Sequence, residues 1–180
     1  MTSKFVADKS DISQKQLKKS VGHLQNAKNE SSRDDWETPK ALFDSIAIRF
    51  NIKCDLDVCA TKLTRKCRRY FDEVSDGLVS EWSGSGFFCN PPYSQTKYWI
   101  RKCSEQHWKN GIDGVALIFN HTPNMYFEHI WNLETDSFFP HVKVYPIKSR
   151  VKFLLDGEPI RDKNGRLQNA PYDSCWVVWK

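Results

Sequence analysis

The amino-acid sequence predicts one α/β domain built on a mainly parallel sheet, with antiparallel strands at its C-terminal end. Three features carry that expectation. Helical and strand-like segments alternate through the middle of the chain, the pattern of parallel strands joined by helical crossovers. Val115-Ala116-Leu117-Ile118-Phe119 is an unbroken apolar run with the length of a strand covered on both faces. Beyond His141 the chain holds only strand-like segments and turns, so the sheet finishes in antiparallel fashion. The chain has 180 residues, 39% of them hydrophobic, which is the size of one domain. Chains of about 150 residues already bury about 70% of their unfolded surface, so no disulfide staple is needed.

Taken in order, residues 1–33 are polar and lack tryptophan and tyrosine. Lys4, Lys9, Lys15, Lys18, Lys19, Lys28 and Arg33 stand there against Asp8, Asp11 and Glu30, which places four of the five net positive charges in this arm. Low hydrophobicity predicts a flexible or marginally helical arm, and its charge suits either a phosphate-following segment or a solvated tail. The folded domain begins near Asp34 and runs to residue 180. Thr38-Pro39 predicts a helix start, with a hydroxyl N-cap followed by proline at the first helical position. Leu42, Phe43, Ile46, Ala47 and Phe50 then recur at helical spacing and form one apolar face.

Cys54 to Cys59 reads as a short strand, and Gly86 to Cys89 as another that Asn90-Pro91-Pro92 stops abruptly. A helix is expected from about Gln95 to Trp108, with Trp99, Ile100, Cys103 and His107 on one side. The strand at Val115 to Phe119 follows, then a short helix around Asn124 to Trp131. Strands are expected at His141 to Ile147, Arg150 to Leu155 and Cys175 to Trp179, with turns at Asp156-Gly157 and Asn164-Gly165.

Composition excludes several classes. The 27 basic and 22 acidic residues give a net charge of +5, which permits an anionic partner without naming one. No apolar run approaches the roughly 18 residues that span a bilayer, and Met1 to Phe5 lead into no signal-peptide core, so a cytoplasmic protein with no membrane partner is expected. The six cysteines show no metal-site spacing. Cys54 and Cys59 have four residues between them, no second close pair follows, and Cys103 with His107 is a single Cys-x-x-x-His pair. Reduced, mostly buried thiols are expected, with no metal.

The chemistry lies in Asn90-Pro91-Pro92-Tyr93, followed by Ser94. Two prolines after a strand fix extended backbone and remove two amide donors, which leaves carbonyl acceptors beside the Asn side-chain oxygen. Tyr93 adds a flat face. Acceptors next to an aromatic face suit the amino group of a planar heterocycle. Accepting its hydrogens favours rehybridisation of a nitrogen whose lone pair is otherwise delocalised, and so promotes attack on an electrophilic methyl. If nothing binds there, the same residues are a rigid loop with a surface tyrosine. Their place after a buried strand favours a site, because open α/β sheets bind ligands at the carboxyl ends of their strands.

This motif resembles the (D/N/S)PP(Y/F/W) signature of DNA amino-methyltransferases. From about Trp36 to the end, the chain resembles the phage-encoded DNA N6-adenine methyltransferases of the Dam type. The landmarks are Trp36-x-Thr38-Pro39, Leu56-Asp57-Val58-Cys59-Ala60, Tyr70-Phe71, Asp76-Gly77-Leu78, Trp82-x-Gly84 and Asn90-Pro91-Pro92-Tyr93-Ser94, then Thr122 with Phe127, and Arg150-x-x-Phe153. The resemblance implies a reduced Rossmann-like methyltransferase fold, with S-adenosylmethionine as cofactor and double-stranded DNA as partner. Trp36, Thr38 and Pro39 would border the amino-acid end of the cofactor, a helix N-terminus being suited to its carboxylate. Asp57 with Ala60 would match the motif at the end of the first strand, with Asp57 near the cofactor ammonium. Asp76 and Leu78 would border the cofactor adenine. Asn90 and the Pro91 carbonyl would accept the target N6 hydrogens, with Pro92 stiffening the loop and Tyr93 stacking on a flipped adenine. GATC is the natural first guess for the recognition sequence.

Plain structural roles stand beside these: an N-cap for Thr38, an exposed strand-end acid for Asp57 and an ordinary turn at Asp76-Gly77. The chain also departs from larger methyltransferases. Lys62 to Lys66 stand where a Gly-rich loop is common, and the 32 residues between Asp57 and Asn90 are tight for two helix–strand units, so a reduced second strand is expected. The ribose-binding acid has no firm match, only Asp72 and Glu73. Two basic clusters, Lys62 to Arg69 and Lys143 to Arg166, are candidate phosphate contacts or solvated faces. Cytosine-N4 methylation uses the same acceptors, and a non-catalytic DNA-binding protein of the same fold is the other alternative.

Overall fold

A computed structural model of the chain describes residues 33–120 and 127–180. All of the expected basic arm but Arg33, and Thr122 among the landmarks, lie outside the described residues. Among the described residues two α-helices, α1 (Lys40–Phe50) and α2 (Thr96–Asn110), accompany ten short strands. These are β1 (Leu56–Asp57), β2 (Arg69–Tyr70), β3 (Phe87–Cys89), β4 (Gly114–Phe119), β5 (Trp131–Asn132), β6 (Ser137–Phe138), β7 (Val142–Pro146), β8 (Leu154–Leu155), β9 (Glu158–Pro159) and β10 (Ser174–Trp179).

Six strands form one sheet in the order β2-β1-β3-β4-β10-β7. The β1–β2, β1–β3 and β3–β4 pairs are parallel, whereas β10 runs antiparallel to both β4 and β7. The expected parallel sheet with an antiparallel C-terminal portion is therefore present. Side chains alternate across it with the period of two that strand geometry imposes. Phe87, Cys89, Ala116, Ile118, Cys175, Val177 and Trp179 pack with Trp99, Ile100 and Cys103 of α2. Phe88, Val115, Leu117, Trp176 and Val178 pack with Ile46 and Phe50 of α1. One helix thus covers each face, which is why β4 and β10 read as continuous apolar runs.

The chain passes from β1 to β2 on one side and to β3 on the other. That reversal makes the carboxyl ends of β1 and β3 the switch point of the sheet, the place where an open α/β sheet binds its ligand. Asp57 ends β1, and Asn90 follows β3 directly. The second strand is reduced to two residues, as the short Asp57–Asn90 interval requires.

Several expectations need correction. Pro39, not Thr38, is the N-cap of α1: its ψ of 139° is extended, and its carbonyl accepts from Leu42 and Phe43. The helix therefore begins one residue later than the Thr-Pro signature predicts, and Ala47 faces solvent. Strand pairing near Cys54 to Cys59 is confined to Leu56–Asp57.

The helix expected to end at Trp131 does not do so. Phe127–His129 is a 3-10 turn, and Trp131 pairs with Phe138 in a hairpin, their rings edge-on at 4.8 Å. Residues 121–126 lie outside the described residues. The strand expected from Arg150 to Leu155 shrinks to Leu154–Leu155, because Val151 and Phe153 are buried in the α1-side core and Leu154 bridges to Glu37. The β8–β9 hairpin turns on Asp156 and Gly157, both in the left-handed region at φ 52° and 78°. No described helix is long and apolar enough to cross a membrane.

Candidate active site

Asn90 directly follows β3 and is held from two sides. Its Nδ2 donates to the Trp36 carbonyl at 2.6 Å, and its own backbone carbonyl accepts from the Cys59 thiol at 3.2 Å. A carbonyl can only be met by the NH₂ side of the amide, so this contact fixes the flip and leaves Oδ1 on the other side. That Oδ1 is buried with no hydrogen-bond partner. Buried acceptors are ordinarily paired, and no described residue supplies a donor to this one. Pro91 is buried and Pro92 half-buried, and the next residues form a 3-10 turn, Tyr93–Gln95. Asp34 ties that turn down, accepting from the Ser94 amide at 2.9 Å and from its hydroxyl at 2.6 Å.

Tyr93 stacks on Phe119 at 3.8 Å between centroids with 8° between planes, and Phe153 meets Tyr93 edge-on at 5.9 Å. Trp36 packs on Phe153 at 5.4 Å and completes an aromatic cluster beside the amide. The Tyr93 hydroxyl is buried without a partner, and burial pushes its pKa well above the ordinary phenol range. Phe119 was not legible as a site residue: it is the last residue of an apolar strand, and only the fold shows it against Tyr93.

Asp57 is 2% exposed, not the exposed strand-end acid of the plain reading. Burial raises its pKa to about 6, opposed by backbone amides at Lys66 and Cys59 and by the Lys66 charge. Lys66 N–H donates to Oδ2 at 2.9 Å. Ala60 is half-buried, its amide bound to the Phe71 carbonyl at 2.9 Å, so the chain after β1 is pinned to the chain after β2. Asp76 adopts a left-handed φ of 36° and accepts from the Leu78 amide at 2.9 Å. Leu78 packs with Cys59 and Phe71 against the α2-side core. Thr38 is 1% exposed, and its hydroxyl is another buried polar atom without a partner.

Other expectations resolve differently. The Asp72 carboxylate accepts from the Ser75 amide at 2.9 Å and from its hydroxyl at 2.7 Å, which holds its pKa below the usual carboxylate range and gives it a local turn to cap. The first basic cluster is divided: Lys66 lies 3.8 Å from Glu37 and is largely buried, Arg69 binds Asp55 and Ser83, and Arg65 covers the Tyr70 ring, while Lys62 and Arg68 are exposed. All six cysteines are free thiols, four of them buried. Among the described residues no cluster of metal-ligating side chains occurs. A cavity of about 820 Å³ adjoins Pro39, lined by Leu42, Ser45, Ile147, Arg150 and Lys152 among others.

An unpartnered amide oxygen thus follows β3 at the switch point of a largely parallel sheet, where such sheets place their ligands. Residues 25–176 match the family described as DNA N-6-adenine-methyltransferase (Dam), and the chain belongs to that family. It is 32% identical over 153 residues to the DNA N-6-adenine-methyltransferase of Haemophilus phage HP1 (strain HP1c1), a match covering 80% of this chain and 84% of that protein. To the DNA N-6-adenine-methyltransferase of Escherichia phage T1 it is 29% identical over 92 residues, covering 50% and 38% respectively.

Proposed function

We propose that this chain transfers a methyl group from S-adenosylmethionine to the N6 amine of an adenine flipped out of double-stranded DNA. The observation that carries the reading is the orphaned Asn90 Oδ1, oriented by Trp36 and set beside Tyr93. When bound, the cofactor supplies the electrophilic methyl on its sulfonium. Asn90 Oδ1 and the Pro91 carbonyl accept the two N6 hydrogens and draw the nitrogen lone pair out of the ring. Tyr93 offers its ring to the base, which must leave the duplex to reach this depth.

The residues present fit the cofactor. The buried, unpartnered Thr38 hydroxyl beside the α1 N-terminus suits the amino-acid carboxylate, with Trp36 and Pro39 flanking it. Asp57 suits the ammonium, because an ionised carboxylate at that depth gains from a cation. The cofactor adenine would lie by the Asp76–Leu78 turn, with Ala60 three residues beyond Asp57 in the chain. The strand order supports a reduced Rossmann-like methyltransferase fold, with its last strand inserted antiparallel between two neighbours. Arg150 and Lys152 at the cavity, and Arg161, Lys163 and Arg166 on the loop beyond β9, are exposed cations suited to phosphates.

Transfer of labelled methyl from the cofactor to duplex DNA, followed by digestion to nucleosides, tests the reading. N6-methyladenine is expected. N4-methylcytosine would overturn the base assignment, and DNA binding without transfer would mark a non-catalytic protein of this fold.

A further inference from the structure

Glu37, inside Trp36-Glu37-Thr38-Pro39, is a buried carboxylate that the roles above leave unused. It is 8% exposed, and taking a charge out of water is costly unless its partners are well placed. Its Oε1 accepts from the Gly157 amide at 3.1 Å, at the turn of the β8–β9 hairpin. Its Oε2 lies 3.8 Å from Lys66 Nζ, and the two side chains are 8% and 14% exposed. The backbone reinforces the first contact: Glu37 N–H donates to Leu154 O at 2.8 Å, and Leu154 N–H donates to Glu37 O at 3.0 Å.

From this residue three connections leave. Gly157 leads through β9 into the exposed polar loop 161–169. Lys66 leads to Asp57, which its own amide binds. Trp36, the preceding residue, presents the carbonyl that orients Asn90. We propose that Glu37 is a positioning residue that locks the β8–β9 hairpin to the segment orienting Asn90, so that DNA held by the hairpin and the acceptor amide keep one register. The inference rests on the reading of the chain as a DNA adenine methyltransferase. An apolar side chain would fill the same space but leave the Gly157 amide without an acceptor and Lys66 without a counter-charge, so packing alone does not account for a carboxylate here.

The test compares full-length wild type, Glu37→Ala and Glu37→Gln for methyl transfer to duplex DNA, with the Kd for S-adenosylhomocysteine measured separately by calorimetry. Alanine removes both partners, and kcat is expected to fall about tenfold while KM for DNA rises, the size of a lost charge-assisted hydrogen bond. Glutamine keeps an oxygen for the Gly157 amide and is expected to restore kcat to within about threefold of wild type. The S-adenosylhomocysteine Kd is expected to stay within about twofold in both, since Glu37 is not assigned to the cofactor. If the alanine variant fails to fold, Glu37→Asp decides, because it keeps the charge and shortens the reach by one methylene: a lowered kcat supports the lock, and a wild-type kcat overturns it. Equal kcat and KM in wild type and Glu37→Ala overturn the inference alone, as does a glutamine variant no better than alanine. A wild type that transfers no methyl group to DNA overturns the functional reading and this inference together.

Discussion

The Asn90 side chain donates to the Trp36 carbonyl at 2.6 Å across 54 residues of sequence. One hydrogen bond therefore joins the Asn-Pro-Pro-Tyr loop to the Trp-Glu-Thr-Pro segment and sets which way the amide oxygen faces. Alanine at position 90 removes both the anchor and the acceptor. Methyl transfer by Asn90→Ala is expected to fall by about 10²–10³-fold, the usual loss when one donor or acceptor for transition-state charge is deleted. Calorimetric cofactor affinity should stay within about twofold, because the role proposed for the deleted group is at the base and not at the cofactor. Unchanged transfer in the variant would remove Asn90 from the site.

Tyr93 separates ring from hydroxyl. The ring stacks on Phe119, whereas the hydroxyl is buried with no partner. Tyr93→Phe keeps the stack and deletes an unsatisfied polar atom, so kcat should change by less than about threefold and stability should rise by up to about 1 kcal/mol in urea unfolding. Tyr93→Ala leaves a cavity beside Phe119 and Phe153, with a loss of about 3 kcal/mol and of most activity. A phenylalanine variant as impaired as the alanine one would show that the hydroxyl itself takes part.

How far the sequence revealed the fold follows from the range of each interaction. The β4 run and the Asn-Pro-Pro-Tyr stop are local signals, and both stand where they were expected. The α1 start was misplaced by one residue because the Pro39 ψ, which sequence does not determine, gives proline the cap position. Trp131 was assigned to a helix because its partner Phe138 lies beyond a turn that Asn132 caps, accepting from Glu134 N–H at 2.8 Å. Glu37 carried no signal at all, since the Gly157 amide that explains it lies 120 residues away. Asp57 was legible as a strand-end acid, but its burial depends on the returning Lys66 segment.

Gly77 is the point where the Asp76–Leu78 turn approaches β1. A Cβ there would stand 2.1 Å from the Val58 carbonyl oxygen and 3.1 Å from the Trp99 ring, while the Gly77 carbonyl already accepts from Trp82 Nε1 at 2.8 Å. The backbone on one side and two buried tryptophans on the other leave no direction for relaxation. Gly77→Ala is expected to cost about 2–4 kcal/mol in denaturant unfolding, in the range of overpacked core sites. A stability within about 0.5 kcal/mol of wild type would mean that the turn moves freely.

Asp57 makes stability respond to pH, and its proposed role at the cofactor ammonium makes binding respond in the opposite direction. Its carboxyl titrates at about 6 in the fold, because burial outweighs the two amides and Lys66. In the unfolded chain an aspartate titrates near 3.9. Between roughly pH 4 and 6 the folded protein keeps a proton that the unfolded chain has released, so stability falls as pH rises through that window and levels off above it. The difference amounts to about 3 kcal/mol. Asp57→Asn, which still accepts from the Lys66 amide, should abolish that slope and leave the cofactor-free protein more stable at neutral pH. Binding runs the other way. If the cofactor ammonium pairs with the ionised carboxylate, Kd for S-adenosylhomocysteine should weaken towards tenfold per pH unit below about 6 in wild type and stay flat in Asp57→Asn. Calorimetric titrations from about pH 5 to 8 measure this, and a wild-type Kd that ignores pH across the Asp57 titration would place the ammonium elsewhere.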